Sequence, residues 1–103
     1  MLRHLSIDIE TKSSVDIGKA GLYRYAQSED FEVLLFAYQM DDGEVELVDL
    51  AQGEQIPENV QLTLKDATVV KHAYNAAFEW YCLSRYLGAT IPIDQWRDTM
   101  PVS

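Results

Sequence analysis

The chain reads RHLSIDIE at residues 3–10, a stretch in which apolar and polar side chains alternate. Leu5, Ile7 and Ile9 fall on one face of an extended chain, because successive side chains of a strand point to opposite faces. Asp8 and Glu10 fall together on the other face. The period of two therefore predicts a β-strand with one buried face and two carboxylates side by side on the other.

The segments that follow predict a loop and then a hairpin. Residues 11–30 contain two glycines and many polar residues, and we expect a long ordered loop with one helical turn. The apolar run at 32–40 is typical of a buried strand. The turn signal Asp-Asp-Gly at 41–43 leads into residues 45–50, which alternate as a returning strand does.

The remainder predicts alternating helices and strands. A helix is expected at 57–65 and a short strand at 66–72. A longer helix at 76–87 should end at Gly88, and its inward row is predicted to be Phe78, Cys82 and Tyr86. Residues 92–103 suggest no closing element. The order β-β-β-α-β-α predicts an α/β fold with a mixed sheet, in one domain that spans residues 1–103.

Composition limits the classes of protein to consider. The 103 residues are 48% hydrophobic and 24% charged, which is typical of one small globular domain. No apolar run approaches the ~18 residues of a membrane span, so we expect no membrane partner. A single cysteine, Cys82, excludes an internal disulfide and favours a reducing compartment, so we predict a cytoplasmic location.

The net charge of −9 argues against a domain that holds nucleic acid mainly by charge, since phosphate binding draws on clustered Lys and Arg. A nuclease remains compatible with it, because a metal site is itself built from acids and its ions reverse the local field.

The paired carboxylates Asp8 and Glu10 have a functional and an ordinary interpretation. Neighbouring carboxylates repel each other unless a cation lies between them, and Mg²⁺ or Mn²⁺ is the natural partner of such oxygen ligands. Alternatively, both residues simply lie on the solvated face of the strand.

A second polar group occurs in YNAAFE at residues 74–79. Asn75 follows a predicted strand and opens a helix, so its ordinary role is a helix cap, and Glu79 would favour the positive helix N-terminus. In the functional interpretation Glu79 faces Asp8 and Glu10, because strand ends and helix starts meet at one edge of such sheets.

These two motifs together resemble the DEDD superfamily of 3′–5′ exonucleases. Its first motif is Asp-x-Glu, usually followed by Thr, and here reads DIET at 8–11; its second is Asn-x-x-Phe-Asp, and here reads NAAFE at 75–79. The stretches SIDIET at 6–11, GLYRYA at 21–26 and WRDTM at 96–100 are most similar to the N-terminal exonuclease domain of phage-type polymerases of the polymerase I family. The resemblance implies a ribonuclease H-like fold.

The resemblance also implies a mechanism and a substrate. Two Mg²⁺ or Mn²⁺ ions ~4 Å apart would clamp the phosphate at the single-stranded 3′ end of DNA, and nucleoside 5′-monophosphates would be released. Asp8 would bridge both ions, Glu10 would hold the ion that activates water, and Glu79 would hold the second ion directly or through water. Thr11 and Asn75 match positions that place the terminal nucleotide.

Two departures from the family pattern matter. Glu79 stands where the wider superfamily has Asp, and its side chain is one methylene longer. The third motif, which supplies the last aspartate and a Tyr or His general base, has no counterpart. We therefore expect a C-terminally truncated domain with little activity of its own. The rest of a polymerase chain would be its partner, and the surface left uncovered would favour self-association.

Other residues receive plainer interpretations. Asp98 matches an aspartate that recurs in relatives, and we expect it to have a structural hydrogen-bonding role. Tyr23 and Tyr25 are expected to pack the long loop against the sheet, with stacking on bases as the alternative. His4 and His72 are expected to be surface residues, with metal ligation by His72 as the alternative.

Two other functions remain open at this point. The chain could be a non-catalytic ribonuclease H-like scaffold or partner-binding module. It could also belong to a different two-metal enzyme of the same fold, which acts on RNA or inside a strand. The sequence leaves the preference for DNA over RNA open.

Overall fold

The computed structural model describes residues 3–41, 43–88 and 91–98. Its elements are five strands, four α-helices and a single 3-10 turn at Leu50–Gln52. The strands are β1 (Arg3–Lys12), β2 (Glu32–Met40), β3 (Val45–Asp49), β4 (Val69–Ala73) and β5 (Trp96–Asp98). The helices are α1 (Ile17–Ala20), α2 (Leu22–Gln27), α3 (Glu58–Lys65) and α4 (Ala76–Leu87).

The strands form one mixed sheet in the order β3-β2-β1-β4-β5. The central strand, β1, is antiparallel to β2 and parallel to β4, so that Ile7 lies opposite both Tyr38 and Ala73. The outer strands follow the same orientations: β3 is antiparallel to β2, and β5 is parallel to β4. This antiparallel hairpin followed by parallel strands confirms the predicted α/β, ribonuclease H-like sheet.

The core lies between one face of this sheet and the helices. Leu5, Ile7 and Ile9 are all buried, as the alternation in β1 predicts. Phe36 of β2 lies opposite Ile9 and is fully buried as well. Leu83 of α4 belongs to the same cluster, so the apolar face of β1 and the inner side of α4 share one core.

Both ends of α4 carry the capping residues that the sequence predicts. The side chain of Asn75 accepts a hydrogen bond from the N–H of Phe78 at the helix start. Gly88 ends the helix with φ 69°, a left-handed conformation that glycine adopts without the clash a Cβ would cause.

The long loop at 11–30 differs from the prediction, because it contains two short helices and not one turn. The Asp16 side chain accepts from the N–H of Gly18 and caps α1. Gly21, at φ 88°, separates α1 from α2. Helices of four and six residues are too short to produce a clear helical period in the sequence.

The C-terminal segment also differs, because β5 was not predicted. This strand has three residues, too few for a pattern, and it is held by parallel pairing with β4 and by the buried ring of Trp96. Tyr86 was predicted to face inward but is 41% exposed, since the buried side of α4 runs through Glu79, Cys82 and Leu83. Asp42 of the hairpin turn, and Thr99 and Met100 of the WRDTM stretch, lie outside the described residues.

The described surface has apolar side chains on the outer strand β3, where Val45 and Leu47 are more than half exposed. Self-association through such a surface stays a prediction. Of the helices at the described positions, none combines the length and the apolar character that crossing a membrane requires.

Replacing Leu83 by Ala should lower the free energy of unfolding by about 2–5 kcal/mol, because the side chain is fully buried and its removal leaves a cavity in the core. Leu62→Ala is the matched control: this leucine of α3 is 62% exposed, and its loss should cost less than about 1 kcal/mol. Urea unfolding of both variants measures the difference. Equal costs would contradict the assignment of the core.

Candidate active site

The candidate site lies where β1 extends past the end of β4. Their pairing stops at Ile7 and Ala73, while β1 continues alongside β2 through Asp8, Ile9 and Glu10. The chain leaves β4 and starts α4 three residues later. The start of α4 therefore meets the projecting end of β1, as the sequence analysis expected from the geometry of such sheets.

Glu79 makes the contact between these two elements. One of its carboxyl oxygens, Oε1, accepts from the backbone N–H of Ile9 at 3.1 Å. The other, Oε2, accepts from the backbone N–H of Asn75 at 3.4 Å. The side chain is only 3% exposed. Glu79 thus binds the residue that stands between Asp8 and Glu10, and the two sequence motifs are joined directly.

Burial raises the pKa of Glu79 from 4.5 to about 7, because removal from water penalises the charged carboxylate. The hydrogen bonds from the amides of Asn75 and Ile9 act in the opposite direction. The negative charges of Asp8 and Asp98 raise the pKa further. Asp8 and Asp98 are therefore close enough to Glu79 to act on its charge.

Asp98 enters the site through β5, the strand that the sequence analysis missed. It lies opposite Ala73, the last residue of β4, and so at the same edge of the sheet as the start of α4. The parallel pairing of β5 is the structural cause of this placement. The sequence signal for it was the aspartate of the WRDTM stretch, for which only a structural role was predicted.

The paired carboxylates of β1 are open to solvent. Asp8 and Glu10 are both exposed, in contrast to Leu5, Ile7 and Ile9 on the other face of the strand. A shallow cavity of about 180 Å³ lies against Asp8 and is lined in part by Ser6 and Ala37. A larger one, of about 510 Å³, lies beyond the end of the motif, around residues 12–14 and 29–32.

Thr11 and Asn75, the predicted nucleotide-placing residues, both have structural partners. The hydroxyl of Thr11 lies 2.9 Å from the hydroxyl of Tyr25. The ring of Tyr25 also packs near Phe31 and Phe78, so α2 holds both motifs together. Asn75 caps α4 through its side-chain oxygen. The ordinary role of Asn75 is thus observed, and its contact with a nucleotide stays a prediction.

The donor atoms at this edge are carboxylate oxygens, the type that a hard divalent cation prefers. Asp8 and Glu10 offer exposed carboxylate oxygens, and the charge of Asp8 already disfavours ionisation of Glu79, which a cation would reverse. Their arrangement does not close around an ion: at residues 3–41, 43–88 and 91–98 there is no group of three or more His, Cys, Asp or Glu that could hold a metal.

Comparison with known proteins gives one strong sequence match. No family model matches the chain. The chain is 49% identical over 98 residues to a protein named DNA polymerase from Bacillus phage SP02. The matched region is 95% of this chain but 15% of that relative, so the chain spans only a small part of the polymerase's length.

Solved structures support the fold. NrnC from Brucella melitensis superimposes with a TM-score of 0.59 at 18% identity, over 86% of this chain and 38% of that one. At this identity the likeness establishes a shared fold and nothing further. A family B DNA polymerase from the archaeon Pyrobaculum calidifontis matches at 26% identity over 86% of this chain and 12% of that one. Its TM-score of 0.49 is too low to add to the argument.

Glu79 should make the stability of the protein fall as pH rises from about 4.5 to about 7. In this range the unfolded chain has lost the Glu79 proton and the folded chain still holds it, so the folded state binds more protons and rising pH favours unfolding. The loss should be on the order of 2 to 3 kcal/mol. Urea unfolding at pH 5, 6, 7 and 8 measures it.

The variant Glu79→Gln should not show this loss of stability with rising pH, because its side chain does not titrate. His72, whose pKa is lowered mainly by burial, acts in the opposite direction and cancels in the comparison of the two proteins. Glu44→Gln, at an exposed position, is the matched control and should keep the pH dependence of the parent. Identical pH dependence in the parent and Glu79→Gln would refute the role given to this carboxyl group.

Proposed function

We propose that residues 1–103 form the N-terminal part of a 3′–5′ exonuclease domain that belongs to a phage-type DNA polymerase and removes nucleotides from the single-stranded 3′ end of DNA. The observation that carries this proposal is the hydrogen bond from the Ile9 amide to the buried carboxyl group of Glu79. It brings the acid of the second motif to the residue between the two acids of the first.

The similarity to the phage SP02 protein supports the polymerase context. That relative is named a DNA polymerase, and 49% identity over 98 residues is far above chance for unrelated chains. Because this chain spans 15% of the length of that relative, attachment to a polymerase is part of the proposal. A cytoplasmic location, expected from the single cysteine, is also part of it.

Two divalent ions, Mg²⁺ or Mn²⁺, would supply an activated water and neutralise charge on the leaving 3′ oxygen when bound. Asp8 and Glu10 are the residues that would hold them, since both carboxylates are exposed and lie on the same face of β1. Thr11 and Asn75, beside the first and second motifs, would place the terminal nucleotide.

Glu79 has a different role in this proposal from that of a simple ligand. Both of its oxygens already accept backbone hydrogen bonds, and its raised pKa leaves the carboxyl partly protonated near neutral pH. It would hold the strand end and the helix start in place. It would then reach the second ion through a water molecule, or after it releases one of the two amides.

A second candidate function is favoured by one observation. The described part of the chain brings together no three donors that could hold a metal, which is what a non-catalytic ribonuclease H-like scaffold would show. A longer protein that contains this segment and the remainder of a polymerase distinguishes the two functions by its metal binding. The exonuclease should bind Mn²⁺ there, and the scaffold should not.

In such a longer protein, Asp8→Ala should reduce removal of the 3′-terminal nucleotide by more than about 100-fold, because loss of a ligand exceeds the 10–100-fold cost of disturbing its surroundings. A 3′-labelled single-stranded oligonucleotide in the presence of Mg²⁺ measures the rate. Asp94→Ala, at an exposed position ahead of β5, is the matched control and should retain full activity. Metal-dependent trimming that persists in Asp8→Ala would refute the proposal.

The 103-residue chain by itself should trim the same oligonucleotide little or not at all. The reason is that its sequence has no counterpart of the third motif, which supplies the last aspartate and the general base. The comparison requires equal amounts of the short and the longer protein under the same ions. Substantial trimming by the short chain that Asp8→Ala abolishes would show that the assignment of the third motif is wrong.

A further inference from the structure

The two histidines of the chain lie together on the sheet, at neighbouring positions of β1 and β4. Nδ1 of His4, on β1, is 2.8 Å from Nε2 of His72, on β4. Their rings are stacked, with centroids 5.1 Å apart and an angle of 22° between the planes. His4 precedes Asp8 by four residues of extended strand, a distance of about 13 Å.

The spacing of the two nitrogens suits a shared metal ion. Zinc binds histidine nitrogen at 2.0–2.1 Å, and two such bonds at angles from right-angled to tetrahedral span about 2.9–3.4 Å between the nitrogens. In the hydrogen-bonded pair the two nitrogens lie 2.8 Å apart, so each ring would have to turn by about 35–45° for both lone pairs to converge on one ion. The ion would then replace the hydrogen bond between the two rings.

The surroundings of the pair are compatible with a cation. Burial together with the charges of His4 and Arg97 lowers the pKa of His72. The carboxylate of Asp41 accepts from the backbone N–H of His4 and adds negative charge nearby. The guanidinium of Arg97 opposes a cation, but its hydrogen bonds hold it to Asp94, Gln95 and Trp96.

We propose that His4 and His72 form a binding site for a borderline divalent metal ion such as Zn²⁺, with two protein ligands and water in the remaining positions. The ion would join β1 to β4, two strands that pair in parallel in the middle of the sheet. Imidazole ligands select such metals over Mg²⁺, which prefers oxygen. The site therefore differs from the carboxylates in ligand chemistry, and it does not depend on the proposed nuclease activity.

Calorimetric titration of the 103-residue chain with ZnCl₂ at neutral pH, in excess Mg²⁺ to occupy the carboxylates, tests the proposal. We expect saturable binding of one ion per chain. His4→Gln and His72→Gln should each weaken it at least about tenfold. Glu58→Gln, at an exposed position of α3 outside both sites, is the control and should bind Zn²⁺ like the parent.

Nuclear magnetic resonance of the unmodified chain tests the site even if one of the histidine variants does not fold. The imidazole signals of His4 and His72 should shift together as Zn²⁺ is added and stop shifting at one equivalent. Absence of saturable binding, or binding that is unchanged in both histidine variants, would overturn the proposal. Loss of Zn²⁺ binding in an Asp8→Asn variant, with binding kept in both histidine variants, would also overturn the proposal, because the ion would then lie at the acids.

Discussion

The carboxyl group of Glu79 accepts hydrogen bonds from the amides of Ile9 and Asn75 in a position that water hardly reaches. A carboxyl group buried without partners would be costly, and these two bonds offset that cost. The same contact gives the Ile9 amide an acceptor at the point where β4 has ended and can offer none. This hydrogen bond therefore holds the start of α4 against the end of β1, while the pairing with β2 holds Asp8 and Glu10 from the other side of the strand.

Much of this arrangement could be predicted from the sequence, because short-range patterns of residues determine it. The alternation of Leu5, Ile7 and Ile9 identified β1 and its buried face, and Asn75 and Gly88 marked both ends of α4. What could not be predicted depends on distant contacts. β5 exists because β4 offers it an edge, and its own three residues carry too little periodicity to identify it.

The candidate site also has a part that could be predicted from the sequence and a part that could not. The two acidic motifs were recognised as sequences, and their meeting at one edge follows from general rules of parallel sheets. The burial of Glu79 could not be read from the motif, because its spacing says nothing about the backbone amides that would surround the carboxyl group. Asp98 reaches the same edge only through the pairing of β5 with β4, so its influence on Glu79 is a property of the folded chain alone.

The position of β1 has a consequence for how the protein is made. Of the five strands described, β1 comes earliest in the chain and lies at the centre of the sheet, and its parallel partner β4 follows more than fifty residues later. At about 5 to 20 residues per second, the ribosome takes several seconds to deliver that partner. During this interval the nascent chain can pair β1 with β2 and β2 with β3, but the edge of β1 that β4 will occupy stays unpaired. Contacts between such distant segments also slow folding itself, so this edge of β1 is exposed to wrong pairing for longer than the edge that β2 covers.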